Sequence, residues 1–330
     1  MLNVLIGKVV TELIDCLGPS ASPTLLDMGN QTFSITPAEM EDLVRTTGTR
    51  KANALLKLSE RHVTGKTVTK LRETRSATLE AVLKDEAGKV PMTRSFYETL
   101  GFVSAESIDV NSRHGAMVMD LNKDLVEDYG FRKKYTLVIN NGTSEHLFCQ
   151  ESFFKNAHQL TEIGGYMLHA LPFMKYVNHG FFNYQPAFFQ DLAAANGYEI
   201  MRLEIADRNG SLADLLKPSD TLTRFWEWSD HLTENEDGNL LIVALLQKKT
   251  AASFAIPLQG KYFEDIESEE HRRTYKAQTR APRPSKGFYF NDPEKLKYPV
   301  SRWKYRVKHK LLVILRKITR AAFIRLWPDL

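Results

Sequence analysis

The sequence predicts an α/β fold: a mostly parallel sheet of seven strands with helices on both faces, a helical insertion and a basic amphipathic C-terminal helix. Three observations predict it. Short β-branched and Leu-rich runs alternate with helically spaced runs, the rhythm that puts crossover helices on both faces of a parallel sheet. Most of the strand-like runs end in an acid, an amide or a glycine. From Arg302 to Arg325 there are nine Lys or Arg and no Asp or Glu, although the whole chain nets only +4.

The elements follow in order. Residues 1–17 carry apolar side chains at helical spacing (Leu2, Leu5, Ile6, Val9, Val10, Leu13) and stop at Gly18-Pro19. Residues 24–29, Thr-Leu-Leu-Asp-Met-Gly, are a short buried strand. Residues 34–93 are polar, charged and helical, and predict an insertion. Thr36-Pro37-Ala38-Glu39 has the pattern of a capping box, with Pro at the first helical position. Helical segments are expected at 49–58 and 68–84.

The alternation then resumes, with a short helix at 95–100 and strands at 106–110 (bearing Asp109), 117–121 (bearing Asp120) and 135–140. A helix at 151–163 leads through Gly164-Gly165 to a strand at 166–171 that Pro172 should stop. A helix at 186–196 sits between Pro186 and Gly197, and strands follow at 199–206 and 240–247. No crossover helix is evident between these last two, so the final strand is expected to run antiparallel. This gives a domain over 1–262, a linker over 263–301 containing the Pro-rich Arg-Ala-Pro-Arg-Pro, and a tail over 302–330.

Two cysteines, Cys16 and Cys149, suggest a reducing compartment and no disulfide framework. With no leader-like N-terminus and no long apolar run, a cytoplasmic location is expected. The tail combines an apolar stripe (Leu311, Leu315, Ile318, Phe323) with basic residues and flanking Trp303 and Trp327. That pattern suits an anionic membrane surface through 302–327, at the inner face of a membrane, better than nucleic acid.

In an open parallel sheet, ligands bind beyond the carboxyl ends of the strands. The residues there are Asp27-Met28-Gly29-Asn30-Gln31, Asp109-Val110-Asn111, Asp120-Leu121-Asn122 and Asn140 to His146. His146 has the pKa class of a general base. Histidines 146, 158, 169 and 179 lack tight ligand spacing such as His-x-x-x-His, so no metal is expected.

This order of strand ends, with Ser144-Glu145-His146 after the fourth strand and Gly164-Gly165 before the fifth, resembles the class I S-adenosylmethionine-dependent methyltransferases, which are Rossmann-like. The stretch from His179-Gly180-Phe181-Phe182-Asn183-Tyr184 to Asn196-Gly197-Tyr198 is similar to methyltransferase-like proteins of bacterial polysaccharide gene clusters. The resemblance implies S-adenosylmethionine as cofactor, with Asp27, Gly29, Asn30 and Gln31 at its methionine end. By the same resemblance Asp109 and Asn111 would serve the ribose, Asp120 and Leu121 the adenine, and Asn140 and Gly142 the reaction centre. From its pKa class and its place after the fourth strand His146 is expected to be the base, with Glu145, His179 and Tyr184 toward the acceptor. The usual run of glycines is reduced to Gly29. The expected function is methyl transfer to a hydroxyl or amine of a small, sugar or lipid-linked acceptor. The alternatives are a non-catalytic scaffold that binds partners or a membrane, and an RNA methyltransferase using the tail.

Overall fold

A computed structural model describes residues 2–17, 22–63, 92–206, 212–214 and 239–276. The tail, most of the linker, the predicted helix at 68–84 and most of the irregular stretch 210–238 lie outside the described residues. The strands are β1 (Thr24–Met28), β2 (Ser104–Asp109), β3 (Met117–Val118), β4 (Tyr135–Asn141), β5 (Thr161–Met174), β6 (Tyr198–Ala206), β7 (Leu212–Asp214) and β8 (Leu240–Lys248). The helices, numbered in chain order, are α1 (Val4–Leu17), α2 (Pro37–Thr47), α3 (Ala52–Val63), α4 (Met92–Leu100), α5 (Leu125–Tyr129), α6 (Gln150–Leu160), α7 (Pro186–Asn196) and α8 (Glu269–Lys276).

The strands form one sheet in the order β3-β2-β1-β4-β5-β8-β6-β7. The ladders from β3 through β5 are all parallel. Strand β8 runs antiparallel between β5 and β6, and β7 pairs antiparallel with the outer edge of β6. The fold is Rossmann-like. The sheet has eight strands rather than the seven expected, because β7, three residues long, folds back on β6.

Strand order reverses between β1 and β4, so the crevice that such a sheet offers a ligand opens at the carboxyl ends of those two strands. The interior strands are apolar on both faces, as burial under helices requires: six of the seven residues of β4 are buried. Helix α1 buries Leu5, Ile6, Val9, Val10 and Leu13 in a core shared with Leu25, Ile139, Leu168 and Leu245 of the sheet.

The helical insertion joins this core. Met40 and Leu43 of α2, with Leu55 and Leu58 of α3, are buried in it. Gly7 of α1 permits the approach, since a Cβ there would lie 2.8 Å from Leu43 Cδ1. Thr36 and Glu39 close the capping box: Glu39 N donates to Thr36 Oγ1 at 3.3 Å and Thr36 N to Glu39 Oε2 at 2.8 Å.

Strand β5 is longer than its sequence suggests. It begins at Thr161, directly after α6, and runs through both Gly164-Gly165 and Pro172. The glycines form an irregularity within the strand, where Gly164 has φ +84° and a Cβ on Gly165 would lie 2.9 Å from Thr136 O. Pro172 is tolerated because pairing with β4 ends at Ala170, which leaves β5 with β8 as its only ladder neighbour there. Strand β3 is shorter than expected, so Asp120 lies two residues beyond it.

Candidate active site

The switch point is built from the loops after β1 and β4. Gly29 has φ +111°, and a Cβ there would overlap the side chain of Thr143, with Cγ2 at 2.7 Å and Cβ at 2.8 Å. The two loops therefore touch, and only glycine allows it. Gln31, buried, locks the contact: its Nε2 donates to Gly29 O at 3.0 Å and to Asn141 O at 2.9 Å. Thr93 of α4 adds a bond from its Oγ1 to Gln31 O at 2.9 Å.

Asp109 ties β2 to the same loop. Its Oδ2 accepts from Asn30 N at 3.0 Å and its Oδ1 from Asn111 Nδ2 at 2.6 Å. Asp120 forms its own turn, with Oδ1 accepting from Asn122 N at 2.9 Å, while Asn122 Oδ1 receives Cys149 N at 3.1 Å. Leu121 is buried at this turn. The structure thus brings Asp27, Gly29, Asn30, Gln31, Asp109 and Asn111 together, with Asp120 and Leu121 in the turn that follows β3, the next strand out.

Asp27 is the exception among these hydrogen-bonded groups. It is 2% exposed, and neither carboxylate oxygen has a hydrogen-bond partner. Burial, with a further contribution from the charge of Asp109, holds its carboxyl well above the usual aspartate value. A gap of about 20 Å³ beside it is also lined by Thr93, Tyr97 and Ser107. The Tyr97 hydroxyl is likewise buried and unpartnered.

After β4 the chain makes a 3₁₀ turn, Ser144–His146. Asn140 holds it: Oδ1 accepts from Ser144 N at 3.2 Å, and Nδ2 donates to Ser144 Oγ at 2.9 Å and to His169 Nδ1 at 3.2 Å. Asn140 is therefore a clasp beneath the turn, and Gly142, exposed and at φ +66°, is what borders the crevice. Tyr184 is buried, with its hydroxyl 2.8 Å from Ser144 Oγ and 2.6 Å from Gln150 Oε1. The sequence does not single out Gln150, and it marks Thr143 and Ser144 only as part of the strand end; their roles come from contacts across the loop, which carry no periodic signal.

The turn places Glu145 inside and His146 outside. Glu145's side chain is 1% exposed, neither of its oxygens has a hydrogen-bond partner, and burial raises its pKa to about 7. Its Oε1 lies 3.7 Å from His146 Nε2 and 3.6 Å from His179 Nε2. Burial, then the neighbouring His179, lower the pKa of His146. The two imidazoles stand 4.9 Å apart, centroid to centroid, and both are nearly half exposed.

His179 reaches this point on a loop pinned to the turn by its backbone, since Phe181 N donates to Glu145 O at 2.7 Å. Gly180 makes room, as a Cβ there would lie 2.9 Å from Glu145 Cγ. Histidines 158 and 169 are built into the interior. His158 sits between Tyr198 and Ala252 O, and burial pushes it down to about 4. His169 packs against Phe154 and Phe189, and burial pushes it down to about 3.

A cavity of about 440 Å³ adjoins the turn, lined by Gln150, Phe154, Phe188, Leu192, Phe254 and Ile256. Gln150 belongs both to this lining and to the Tyr184 hydroxyl contact.

No family model matches the chain, and no curated protein does. Solved structures do match at low scores. TehB from Haemophilus influenzae is 13% identical at a TM-score of 0.33, over 55% of this chain and 65% of that one. An O-methyltransferase from a trans-AT PKS multienzyme of Brevibacillus brevis, in complex with S-adenosyl-L-homocysteine, is 13% identical at 0.32, over 75% and 73%. A SAM-dependent methyltransferase from Archaeoglobus fulgidus is 11% identical at 0.33, over 73% and 94%. At such identities and scores these likenesses decide nothing, and the fold assignment rests on strand order and direction. Among the described residues no helix is long and apolar enough to cross a membrane.

Proposed function

We propose that the chain binds S-adenosylmethionine across the ends of β1, β2 and β4 and transfers its methyl group to a hydroxyl or amine of a small acceptor. A sugar or a lipid-linked sugar is the class the sequence resemblance suggests. The observation that carries the reading is the contact of Gly29 with Thr143. It brings the loop of the buried, unpaired Asp27 onto the loop of Glu145 and His146, at the switch point of the sheet.

The residues present fit this cofactor. A buried carboxylate without a partner favours a cationic ligand beside it, because a charge in a low-dielectric site gains most from an opposite charge. The donor, when bound, supplies a sulfonium-activated methyl group. What remains for the protein is alignment of the acceptor and removal of its proton. Alignment falls to the loops held by Gln31 and Asn140. Proton removal falls to the group of Glu145, His146 and His179, in which His146 is the base and Glu145 steadies its ring from within. Tyr184 supports the turn from below. The basic tail is the element we assign to an anionic membrane surface.

Calorimetric titration of the folded chain with S-adenosylmethionine and S-adenosylhomocysteine tests the reading. We expect one site per chain, with binding lost in Gly29→Ala. Absence of any heat at millimolar ligand, with the fold intact by circular dichroism, would leave a non-catalytic scaffold in its place.

A further inference from the structure

The geometry points to a divalent transition-metal site formed by Glu145, His146 and His179, of the Zn²⁺ or Co²⁺ class, at the mouth of the candidate active site. Spacing along the chain does not show it, because His179 lies 33 residues beyond His146. The fold closes that distance.

Three observations carry the inference. The donor atoms converge: one oxygen of Glu145 and one ring nitrogen from each histidine all lie within 4.8 Å of one another. The carboxylate is 3.6 and 3.7 Å from the two Nε2 atoms. With metal–ligand bonds of about 2.0–2.2 Å, two ligand atoms of a tetrahedral site stand about 3.4 Å apart. Two edges of such a site therefore need a closure of only a few tenths of an ångström. The third, between the two ring nitrogens within 4.8 Å of each other, is closed by rotation of imidazoles that are nearly half exposed.

The second observation is the carboxylate itself. Glu145 is fully buried, and both of its oxygens lack a hydrogen bond. A buried acid with no hydrogen bond, its nearest ionisable neighbours being imidazoles 3.6 and 3.7 Å away, is costly, and a metal ion meets that need. The third observation is the scaffold. Phe181 N and Phe182 N both donate to Glu145 O, at 2.7 and 3.3 Å, so the loop bearing His179 is fixed to the residue it would share a metal with. Lys175 and Asn178, with φ of +61° and +57°, turn the chain back toward the 3₁₀ turn just before His179.

Two imidazoles and one carboxylate form a donor set suited to Zn²⁺ and its neighbours, and leave at least one position for an oxygen ligand. That the position takes the acceptor's hydroxyl rests on the methyl-transfer reading; the metal site does not. With the ion in place the two imidazoles would act as ligands, and the metal-bound hydroxyl, made more acidic, would release its proton to solvent water rather than to His146.

The test uses the full chain without a histidine tag, stripped with a chelator and titrated with Co²⁺ and Zn²⁺. We expect one Co²⁺ per chain with visible ligand-field bands, displacement by Zn²⁺, and a rise in the thermal midpoint. Glu145→Gln, His146→Ala and His179→Ala should each weaken binding at least about tenfold, and His271→Ala should not. No saturable uptake below millimolar metal would overturn the inference, as would equal uptake by the wild type and His179→Ala with both folded by circular dichroism. Titration with S-adenosylmethionine on the same samples keeps the two claims apart. A chain that binds the cofactor and no metal refutes this site alone. A chain that binds metal and no cofactor refutes methyl transfer alone.

Discussion

Replacing Gly29 by alanine tests the contact on which the candidate site depends. Two costs are separable in the structure. The backbone at Gly29 has φ +111°, which an L-residue adopts at about 1–2 kcal/mol or more. The added methyl also overlaps the Thr143 side chain, with Thr143 Cβ at 2.8 Å and no flexible chain end to move aside. Overpacking of this kind costs about 1–3 kcal/mol. Gly29→Ala should therefore lose about 2–5 kcal/mol in urea unfolding at 25 °C, and binding of S-adenosylmethionine with it. Only the overlap depends on Thr143. In a Thr143→Gly background the same substitution should cost less by about 1–3 kcal/mol, and the backbone part should persist. A cost below about 0.5 kcal/mol, or an equal cost in both backgrounds, would mean that the two loops do not touch as described.

Further outcomes follow from the buried polar groups and the tail. Asp27→Asn removes an acid whose pKa is raised in the fold, so the wild type loses stability as pH rises above the ordinary aspartate value of 3.8. The variant should be the more stable at pH 7.5 and lose that advantage below pH 4, read by urea unfolding; a constant difference would refute it. Lys248 donates from Nζ to His158 O and Thr161 O at 2.7 and 3.1 Å, and burial pushes its pKa down to about 8. A base lowered in the fold carries its penalty below that pKa and sheds it toward the ordinary 10.5, so wild type should gain about 2 kcal/mol on Lys248→Met between pH 7 and 9.5. Asn140→Ala leaves Ser144 N and His169 Nδ1 without partners, while Ser144 Oγ keeps the Tyr184 hydroxyl, and should cost about 2–4 kcal/mol, with His146 chemical shifts moving by NMR. Replacing Arg316, Lys317 and Arg320 together by Ala should weaken flotation with phosphatidylserine vesicles by about a hundredfold, at about 1 kcal/mol per charge. An unchanged flotation with a lost RNA gel shift would assign the tail to RNA.

Much of the frame was legible because it is local. Strands β1, β2 and β4 end where acid, amide or glycine follows an apolar run, and helix α7 lies between its Pro186 and Gly197 as the pattern predicts. The antiparallel β8 could be inferred from the missing crossover helix. The misses have physical causes. Gly164-Gly165 and Pro172 read as stops, but bulge geometry and a one-sided ladder let β5 continue through them. The charged surface of α2 and α3 hid the short apolar pairs Met40–Leu43 and Leu55–Leu58 that bury them in the core. Asn140 looked like a crevice residue because it ends a strand, yet it points beneath the turn it holds. His179 and Glu145 meet through a loop whose attachment is made by backbone atoms, and backbone bonds leave no mark in residue types.

The place of β8 in the sheet bears on how the chain is made. It pairs with β5 on one side and β6 on the other, yet both neighbours precede it in sequence. Until residue 248 has emerged from the ribosome, β5 and β6 present open hydrogen-bonding edges flanked by apolar side chains, the kind of edge that recruits other chains. A fragment ending before Leu240 keeps the β1–β4 crevice in sequence but lacks the strand that joins β6 to the rest. Nascent and truncated forms of this protein should therefore depend on chaperones to a degree that the finished chain does not.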